Sequence, residues 1–346
     1  MNVSRWRYVF PVIACFSAAV RAQVGGTSVY GFLNLTPSPQ VAALGGKVIA
    51  VPDGNPALAF YNPALTDSAS DRRLSLDYVK YPAGINFGYA AYARSYPHAG
   101  TFAAGIHYVN YGSFTEADMT GIITGSFTAA EYAFNFTYSR PLPPYDGRLT
   151  AGVNVKPLLS VFERYSSYGL LVDLGVTYRH PDRLFTAAVV LRNMGGQITA
   201  YAGNRREAVP FEIQAGMSQQ LQHAPFRFSL TLQHLERLRL GTDGERGGAS
   251  AEEENVAKKG IGLYADELMR HVVLGVECMP FRGLILRGGY NYHRRQEMKA
   301  PSRTGMVGFS WGAAIHLSRF RVEYARSIWH LAGASNHFSI CIDMAK

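Results

Sequence analysis

Apolar and polar side chains alternate along most of the chain after residue 71. Residues 74–79, for example, read Leu-Ser-Leu-Asp-Tyr-Val, and residues 132–139 read Tyr-Ala-Phe-Asn-Phe-Thr-Tyr-Ser. Successive side chains of a strand point to opposite faces, so a period of two predicts strands with one apolar and one polar face. The alternation predicts about fourteen strands, at residues 74–79, 85–92, 102–109, 132–139, 149–155, 170–178, 185–191, 211–217, 226–232, 272–278, 284–292, 307–317, 320–324 and 338–344.

Two architectures can hide the apolar faces of so many strands. A sandwich turns them inward against a second sheet, whereas a membrane barrel turns them outward to lipid. The polar faces favour the barrel, because they carry side chains suited to a hydrated lumen: Asn154, Asp173, Arg192, Gln214, Arg227, Arg287, Asn291 and Glu323. We therefore predict an all-β fold, a transmembrane antiparallel β-barrel of about 14 strands in the outer membrane.

Residues 23–70 lack this alternation and are predicted to form a hatch or plug segment before the barrel at residues 71–346. Five prolines and a Gly-Gly pair interrupt any ladder or long helix there, which leaves short helical pieces at residues 41–44 and 57–61. The segment is nevertheless rich in apolar residues, which a solvated linker would leave exposed. We interpret it as a plug inside the barrel; the alternative is a lead-in to the first strand that lies across one barrel mouth.

Six residues are predicted to shape this segment, and the Asn-Pro pair at 62–63 is the most informative. Pro63 should hold Asn62 extended and so end the short helix before it. The Asn62 amide can cap a turn and bond backbone groups that the bend leaves free. The six hatch or plug residues are Gly45, Gly46, Asn55, Pro56, Asn62 and Pro63.

The first 22 residues are predicted to be a cleaved signal peptide. Arg5 and Arg7 precede an apolar run at residues 8–20, and Val20-Arg21-Ala22 supplies small residues at the usual cleavage positions. The run is too short to span a bilayer as a helix. A competing interpretation treats residues 12–15 as a lipoprotein cleavage site.

The charge balance indicates acidic or anionic surroundings but not nucleic acid. The formal net charge is +9, and removing residues 1–22, which hold three arginines and no acids, leaves 31 − 25 = +6. The lysines and arginines are scattered singly, whereas tracking a phosphate backbone needs a basic stripe. Outer-membrane lipid and lipopolysaccharide, or an acidic partner, are the expected targets.

Long polar connections are expected to face outward and short turns the periplasm. The longest connection, at residues 241–260, carries three consecutive acids and is either a solvated loop or a loop that docks a partner. Residues 112–127 and 201–207 are also expected to be long loops. The acids proposed for the partner loop are Glu252, Glu253 and Glu254.

No constellation for catalysis or for binding a cofactor or a metal emerges from the sequence. The Gly-Phe-Ser-Trp-Gly motif at 308–312 matches a nucleophile elbow, but it lies within continuous strand alternation. The glycine-rich motif at 260–265 follows a charged loop rather than a strand. Cys278 and Cys341 are too few for a disulfide framework, and the histidines are dispersed. We expect a non-enzymatic protein without cofactor.

Several separated motifs also carry a family resemblance, which covers nearly the whole mature chain. They lie at residues 30–35, 41–46, 62–65, 100–118, 163–168 and 224–230. These motifs resemble the PorQ family, outer-membrane components of the Bacteroidota type IX secretion system.

The resemblance implies a barrel related in fold to the long-chain fatty-acid transporter FadL and to PorV, with an N-terminal hatch that includes residues 62–64. It also implies a place in the cell-surface attachment complex. There a sortase-like peptidase, PorU, partnered by PorV, joins secreted cargo to lipopolysaccharide, and the barrel holds the surface protein PorZ. The alternative function is a FadL-like channel for hydrophobic small molecules, with the plug as its gate.

Overall fold

A computed structural model describes residues 28–143, 147–201, 203, 205–240, 261–298, 305–330 and 333–345. In these residues fourteen antiparallel strands form one closed barrel. The strands are β1 (Arg73–Lys80), β2 (Asn86–Tyr96), β3 (Gly100–Ala117), β4 (Ile123–Pro141), β5 (Leu149–Phe162), β6 (Tyr165–His180), β7 (Phe185–Thr199), β8 (Glu212–Gln220), β9 (Phe226–Leu232), β10 (Val272–Phe281), β11 (Leu284–Asn291), β12 (Phe309–Leu317), β13 (Phe320–His330) and β14 (Gly333–Asp343).

Each strand pairs with its neighbours in sequence, and β1 closes the ring by pairing with β14. The register sets Arg73 opposite Asp343, so β1 begins and β14 ends at the same end of the barrel. The turns at that end are mostly short, such as residues 97–99 and 318–319, and we call it the short-turn end. The opposite end carries the connections at residues 200–211, 233–271 and 292–308, and we call it the long-connection end.

Apolar side chains lie on the outer face of the strands and polar ones on the inner face, as the alternation predicts. On β1, Leu76 and Tyr78 are 46% and 52% exposed on the outer surface, whereas Ser75 and Asp77 are buried on the inner one. Adjacent β14 repeats this, with Phe338 outside. A closed sheet hydrogen-bonds every interior strand edge, and an apolar outer face suits contact with lipid. The predicted all-β barrel is therefore confirmed.

One predicted loop is wrong. Residues 112–127 do not form a loop: β3 and β4 continue through them as a hairpin that turns at residues 118–122. Register shifts between Asn110 and Ser113, and again near Ala117, put the alternation out of phase with the rest of the two strands. These bulges hide the period of two from a sequence-based reading.

The helices of the described residues are short: α1 (Pro39–Ala43), α2 (Ile261–Arg270) and α3 (Tyr292–Met298). The helical pieces expected at residues 41–44 and 57–61 correspond to α1 and to a 3₁₀ helix at Pro56–Phe60. The strand expected at 284–292 ends one residue early, where α3 begins. None of the described helices has the length and apolar character needed to cross a membrane.

Two predictions fall outside the described residues. The proposed signal peptide at residues 1–22 is one, and the connection at residues 241–260 with Glu252, Glu253 and Glu254 is the other. Both stay predictions.

Candidate functional site

The N-terminal segment, residues 28–72, packs against the inner wall of the barrel along the whole length of the lumen. At the long-connection end the Val29 amide donates to the Ala208 carbonyl at 2.9 Å. At the short-turn end Arg179 of β6 bonds Asp67 at 2.9 Å. Between these points the segment bonds β6 and β12, which lie on nearly opposite sides of the fourteen-strand ring.

The Gly-Gly pair ends α1, and Gly45 lies directly against β11 and β12. Gly45 and Gly46 have φ angles of 96° and 88°, a left-handed region that residues with a Cβ rarely adopt. The Gly46 amide donates to the Val41 carbonyl at 2.8 Å and so closes the helix end. The Gly45 amide donates to the Ser310 hydroxyl at 3.1 Å. Ser310, within the Gly-Phe-Ser-Trp-Gly motif, thus binds the segment from a strand.

Glycines of the barrel wall receive the backbone of the segment. A Cβ on Gly152 of β5 would lie 2.5 Å from the Ala64 nitrogen, and one on Gly312 of β12 would lie 2.9 Å from the Ala43 Cβ. Such distances are too short for any side chain, so the segment approaches the wall as closely as a backbone can. Gly152 and Gly289 have such contacts with the backbone of the segment, and the wall glycines that meet its side chains are Gly169, Gly175, Gly216, Gly275 and Gly312.

Two Asn-Pro pairs shape the next part of the segment. Asn55 caps the 3₁₀ helix after Pro56, since its side-chain oxygen accepts from the Ala57 amide at 2.9 Å. Asn62 is extended before Pro63, and its oxygen accepts from the Ala64 amide at 2.9 Å.

The amide nitrogen of Asn62 ties the bend to the wall. It donates to the Ile49 carbonyl at 2.7 Å and to the Thr177 hydroxyl of β6 at 3.0 Å. One fully buried side chain therefore caps a turn, satisfies a backbone carbonyl of the segment and contacts the barrel. Leaving those groups unpaired would cost about 1 to 3 kcal/mol each.

Asp53 reaches into a charged group on the wall, which we call the Asp53 cluster: Asp53, Glu277, Arg287, Arg321 and Glu323. The Asp53 carboxylate lies 2.9 Å from Arg321 and 3.4 Å from Arg287. Both arginines are nearly fully buried and also form ion pairs with Glu323. Burial by itself raises the pKa of Asp53, but the guanidinium groups of Arg321 and Arg287 outweigh it and hold this pKa below its usual range.

A second ion pair fixes the segment to β8. The Lys47 ammonium lies 2.6 Å from the Glu212 carboxylate, whose side chain is 1% exposed. Burial lowers the pKa of Lys47, although Glu212 opposes this effect. The pair therefore places a cation of the segment against an anion of the wall in water-poor surroundings.

The largest apolar cluster of the described residues forms between the segment and strands β1 to β6. Phe60 lies at its centre and is fully buried. Its ring is 5.0 Å from the His107 ring of β3, and the Lys156 ammonium of β5 lies 5.0 Å above it. The inner wall is thus polar in composition, yet it holds an apolar core because the segment supplies most of the apolar side chains.

On the short-turn side of the segment a cavity of about 690 Å³ opens beside Asp67. Its lining combines hydroxyls with the apolar turn at residues 141–143. The segment therefore leaves space beside it near the short-turn end.

All six predicted segment residues are buried. Gly45, Asn62 and Pro63 lie against the wall. Asn55 instead caps the 3₁₀ helix that begins at Pro56. Sequence reasoning missed Lys47, Asp53 and the wall glycines. The wall glycines could have been found from the sequence, because glycine at inward positions of strands leaves room for another part of the chain inside the lumen.

No protein-family model matches the chain, and no curated protein matches it. Among solved structures, the Ralstonia pickettii toluene transporter TbuX is similar, with a TM-score of 0.51 and 13% identity over 91% of this chain and 98% of that one. The Pseudomonas putida toluene transporter TodX is similar with a TM-score of 0.49 and 13% identity, over 87% and 95% of the two chains. At this identity the likeness to TbuX shows the fold alone, which is a closed antiparallel β-barrel.

Proposed function

We propose that the chain is a gated outer-membrane channel for hydrophobic small molecules, with the N-terminal segment as its plug. The observation that carries the proposal is the apolar cluster around Phe60 in a FadL-like barrel. That cluster joins side chains of the segment to side chains of the wall, so displacing the segment would leave an apolar site within the lumen. The contacts of the segment at both ends of the barrel support its role as a plug.

Displacing the plug requires breaking a few polar contacts with the wall as well as uncovering the apolar cluster. The Asp53 cluster, the Lys47–Glu212 pair and Asn62 provide the main side-chain bonds to the wall. Each is an exchangeable interaction, and water or a ligand can replace it when the segment moves.

Deleting residues 41–65 tests the plug. The shortened chain should fold as a barrel and show large, steady conductance in planar bilayers, while the intact chain conducts little. Cells that produce the intact chain should also take up a hydrophobic probe such as toluene faster than cells that lack it. Equal conductance of the shortened and the intact chain would refute the plug, and unchanged uptake would refute the channel.

A second candidate function rests on the motifs that resemble the PorQ family. Three of them, at residues 30–35, 41–46 and 62–65, belong to the N-terminal segment. A fourth, at 163–168, contacts the first, because the Tyr30 hydroxyl bonds the Ser167 hydroxyl at 2.7 Å. The motifs are thus connected in space, which favours a closed barrel that serves as a scaffold.

In that role the barrel holds the surface protein PorZ through its long-connection end and supports attachment of cargo to lipopolysaccharide beside PorV and PorU. It performs no chemistry itself. Deleting the gene should then leave cargo unattached at the cell surface, and PorZ should co-purify with the barrel from detergent extracts. A purified barrel without PorZ that retains a stoichiometric hydrophobic ligand would favour the channel instead.

A further inference from the structure

The β3–β4 hairpin rises above its neighbouring strands at the long-connection end. Pairing of β2 with β3 ends at Asn86 and Asn110, and pairing of β4 with β5 ends at Ala129 and Phe162. Beyond these points β3 and β4 pair only with each other among the described residues. Residues 111–128 thus form a two-stranded arm, which we call the β3–β4 arm.

The β4 edge of this arm presents free backbone groups. The Thr128 carbonyl still accepts from the Glu163 amide, at 3.3 Å, so Thr128 points its backbone groups to the β5 side. In an antiparallel ladder these directions alternate from residue to residue. Ser126 therefore points its N–H and C=O to the same side, where no strand of the described residues reaches it.

The sequence of this edge lacks the residues that usually protect one, and no described strand covers it. Natural proteins protect exposed edge strands with lysine, proline or a covering loop, because an unprotected edge can pair with another chain. Residues 119–130 contain no charged residue and no proline, and Ile123 at the tip is 71% exposed. The β3 edge differs, since it begins with a bulge at Gly112. Glu116 of β3 lies on the Phe114 face, with its carboxylate over Gly125 of β4.

We propose that the β4 edge at residues 123–128 binds an extended segment of another protein as an additional strand. The two faces of the arm specify its chemistry. Phe114 and Phe127 stack on one face with ring centroids 5.3 Å apart, and Thr115 lies opposite Ser126 on the other. The bound segment therefore alternates apolar side chains over the phenylalanines with small polar ones over the hydroxyls.

The exposed backbone argues for a polypeptide, since a small apolar molecule cannot use an N–H and a C=O spaced for a strand. A second copy of this chain fits less well. Two barrels inserted in one membrane in the same direction run their β4 strands the same way, so these edges could pair only in parallel. Parallel pairs are slightly less stable per residue than antiparallel ones, whereas a segment from another protein can approach in either direction.

This inference deepens the second candidate function, on which it rests for the location of the partner outside the cell. It does not depend on the plug. The arm and the segment can therefore be tested separately.

Ser126 offers a matched pair of variants. Proline removes the N–H on the free edge but leaves the bonds between β4 and β3, because those involve Phe127 and its alternate neighbours. Ser126→Ala removes the hydroxyl and keeps the N–H. Far-UV circular dichroism and the heat-dependent gel mobility of the barrel should be the same for both variants.

The probe is a fluorescent, end-capped decapeptide of alternating valine and threonine, added to the full chain in lipid nanodiscs. Saturable binding is expected for the natural chain and for Ser126→Ala. Binding to Ser126→Pro should be at least about tenfold weaker, and a peptide N-methylated at every residue should not bind, because both changes remove ladder hydrogen bonds.

Equal binding to the two Ser126 variants, binding of the N-methylated peptide, or no saturable binding to the natural chain would each overturn the proposal. A Ser126→Cys chain that forms disulfide-linked dimers in native membranes would instead identify a second copy as the occupant and also overturn it. If the peptide binds as expected while PorZ fails to co-purify, the second candidate function fails and the edge remains a strand-binding surface.

Discussion

Replacing Asp53 by asparagine removes the negative charge that pairs the N-terminal segment with arginines of β11 and β13. The side chain keeps its shape and one acceptor oxygen. What it loses is the attraction to Arg321 at 2.9 Å and to Arg287 at 3.4 Å. We expect the segment to leave its position more often in this variant.

The size of the effect follows from what the two arginines retain. Removing one partner of an isolated buried pair costs about 3 to 5 kcal/mol, because an unpaired charge stays buried. Here Arg321 still lies 2.7 Å from Glu323, and Arg287 still lies 2.8 Å from Glu277. The loss should therefore resemble that of one charged hydrogen bond, about 2 kcal/mol, which corresponds to about a 30-fold increase in the ratio of displaced to seated segment.

Single-channel recording in planar bilayers measures this ratio as the fraction of time spent in a conducting state. Asp67→Asn is the matched control, because Asp67 makes the same kind of contact at 2.9 Å with Arg179 but is partly exposed. Surface pairs contribute about 0 to 1 kcal/mol, so the control should change the open fraction by less than about fivefold. Equal open fractions for Asp53→Asn and Asp67→Asn would refute the assignment of the Asp53 cluster as the main electrostatic hold.

Three further outcomes test the same contacts. Gly152→Ala should raise the open fraction, because its Cβ would lie 2.5 Å from the Ala64 nitrogen, while Gly196→Ala, with nothing within 4 Å, should behave like the natural chain in the same recordings. Thr177→Val should remove only the bond from Asn62 to Thr177, and Asn62→Ala should remove that bond, the bond to Ile49 and the turn cap, so proteolysis of the segment should accelerate in the order natural chain, Thr177→Val, Asn62→Ala; the reverse order would contradict the assigned bonds. The pKa of folded Asp53 lies below its ordinary value of 3.8. The contribution of Asp53 to holding the segment is therefore complete above pH 3.8 and is lost as the pH falls through the lower folded pKa. The open fraction of the natural chain should rise only below about pH 4, and Asp53→Asn should lack that rise.

The sequence by itself determined the barrel, since alternation is a local property of each strand. A strand must turn alternate side chains to lipid and to the lumen wherever it lies in the ring, so residues 74–79 can be recognised without knowledge of their neighbours. Local rules likewise identified the bends at Gly45 and Asn62, because a left-handed glycine and an X-Pro pair restrict the backbone whatever surrounds them.

Only the tertiary structure decided what the N-terminal segment touches. Asp53 and Arg321 are 268 residues apart, and nothing in the pattern around either residue points to the other. The length of the β3–β4 arm also could not be predicted from the sequence, because two bulges shift the alternation where the hairpin extends past its neighbouring strands. The contacts between the N-terminal segment and the wall depend on the register of the strands and on which inward glycines leave room for the segment. Register and glycine positions take effect only when all fourteen strands of the described chain have closed into the ring.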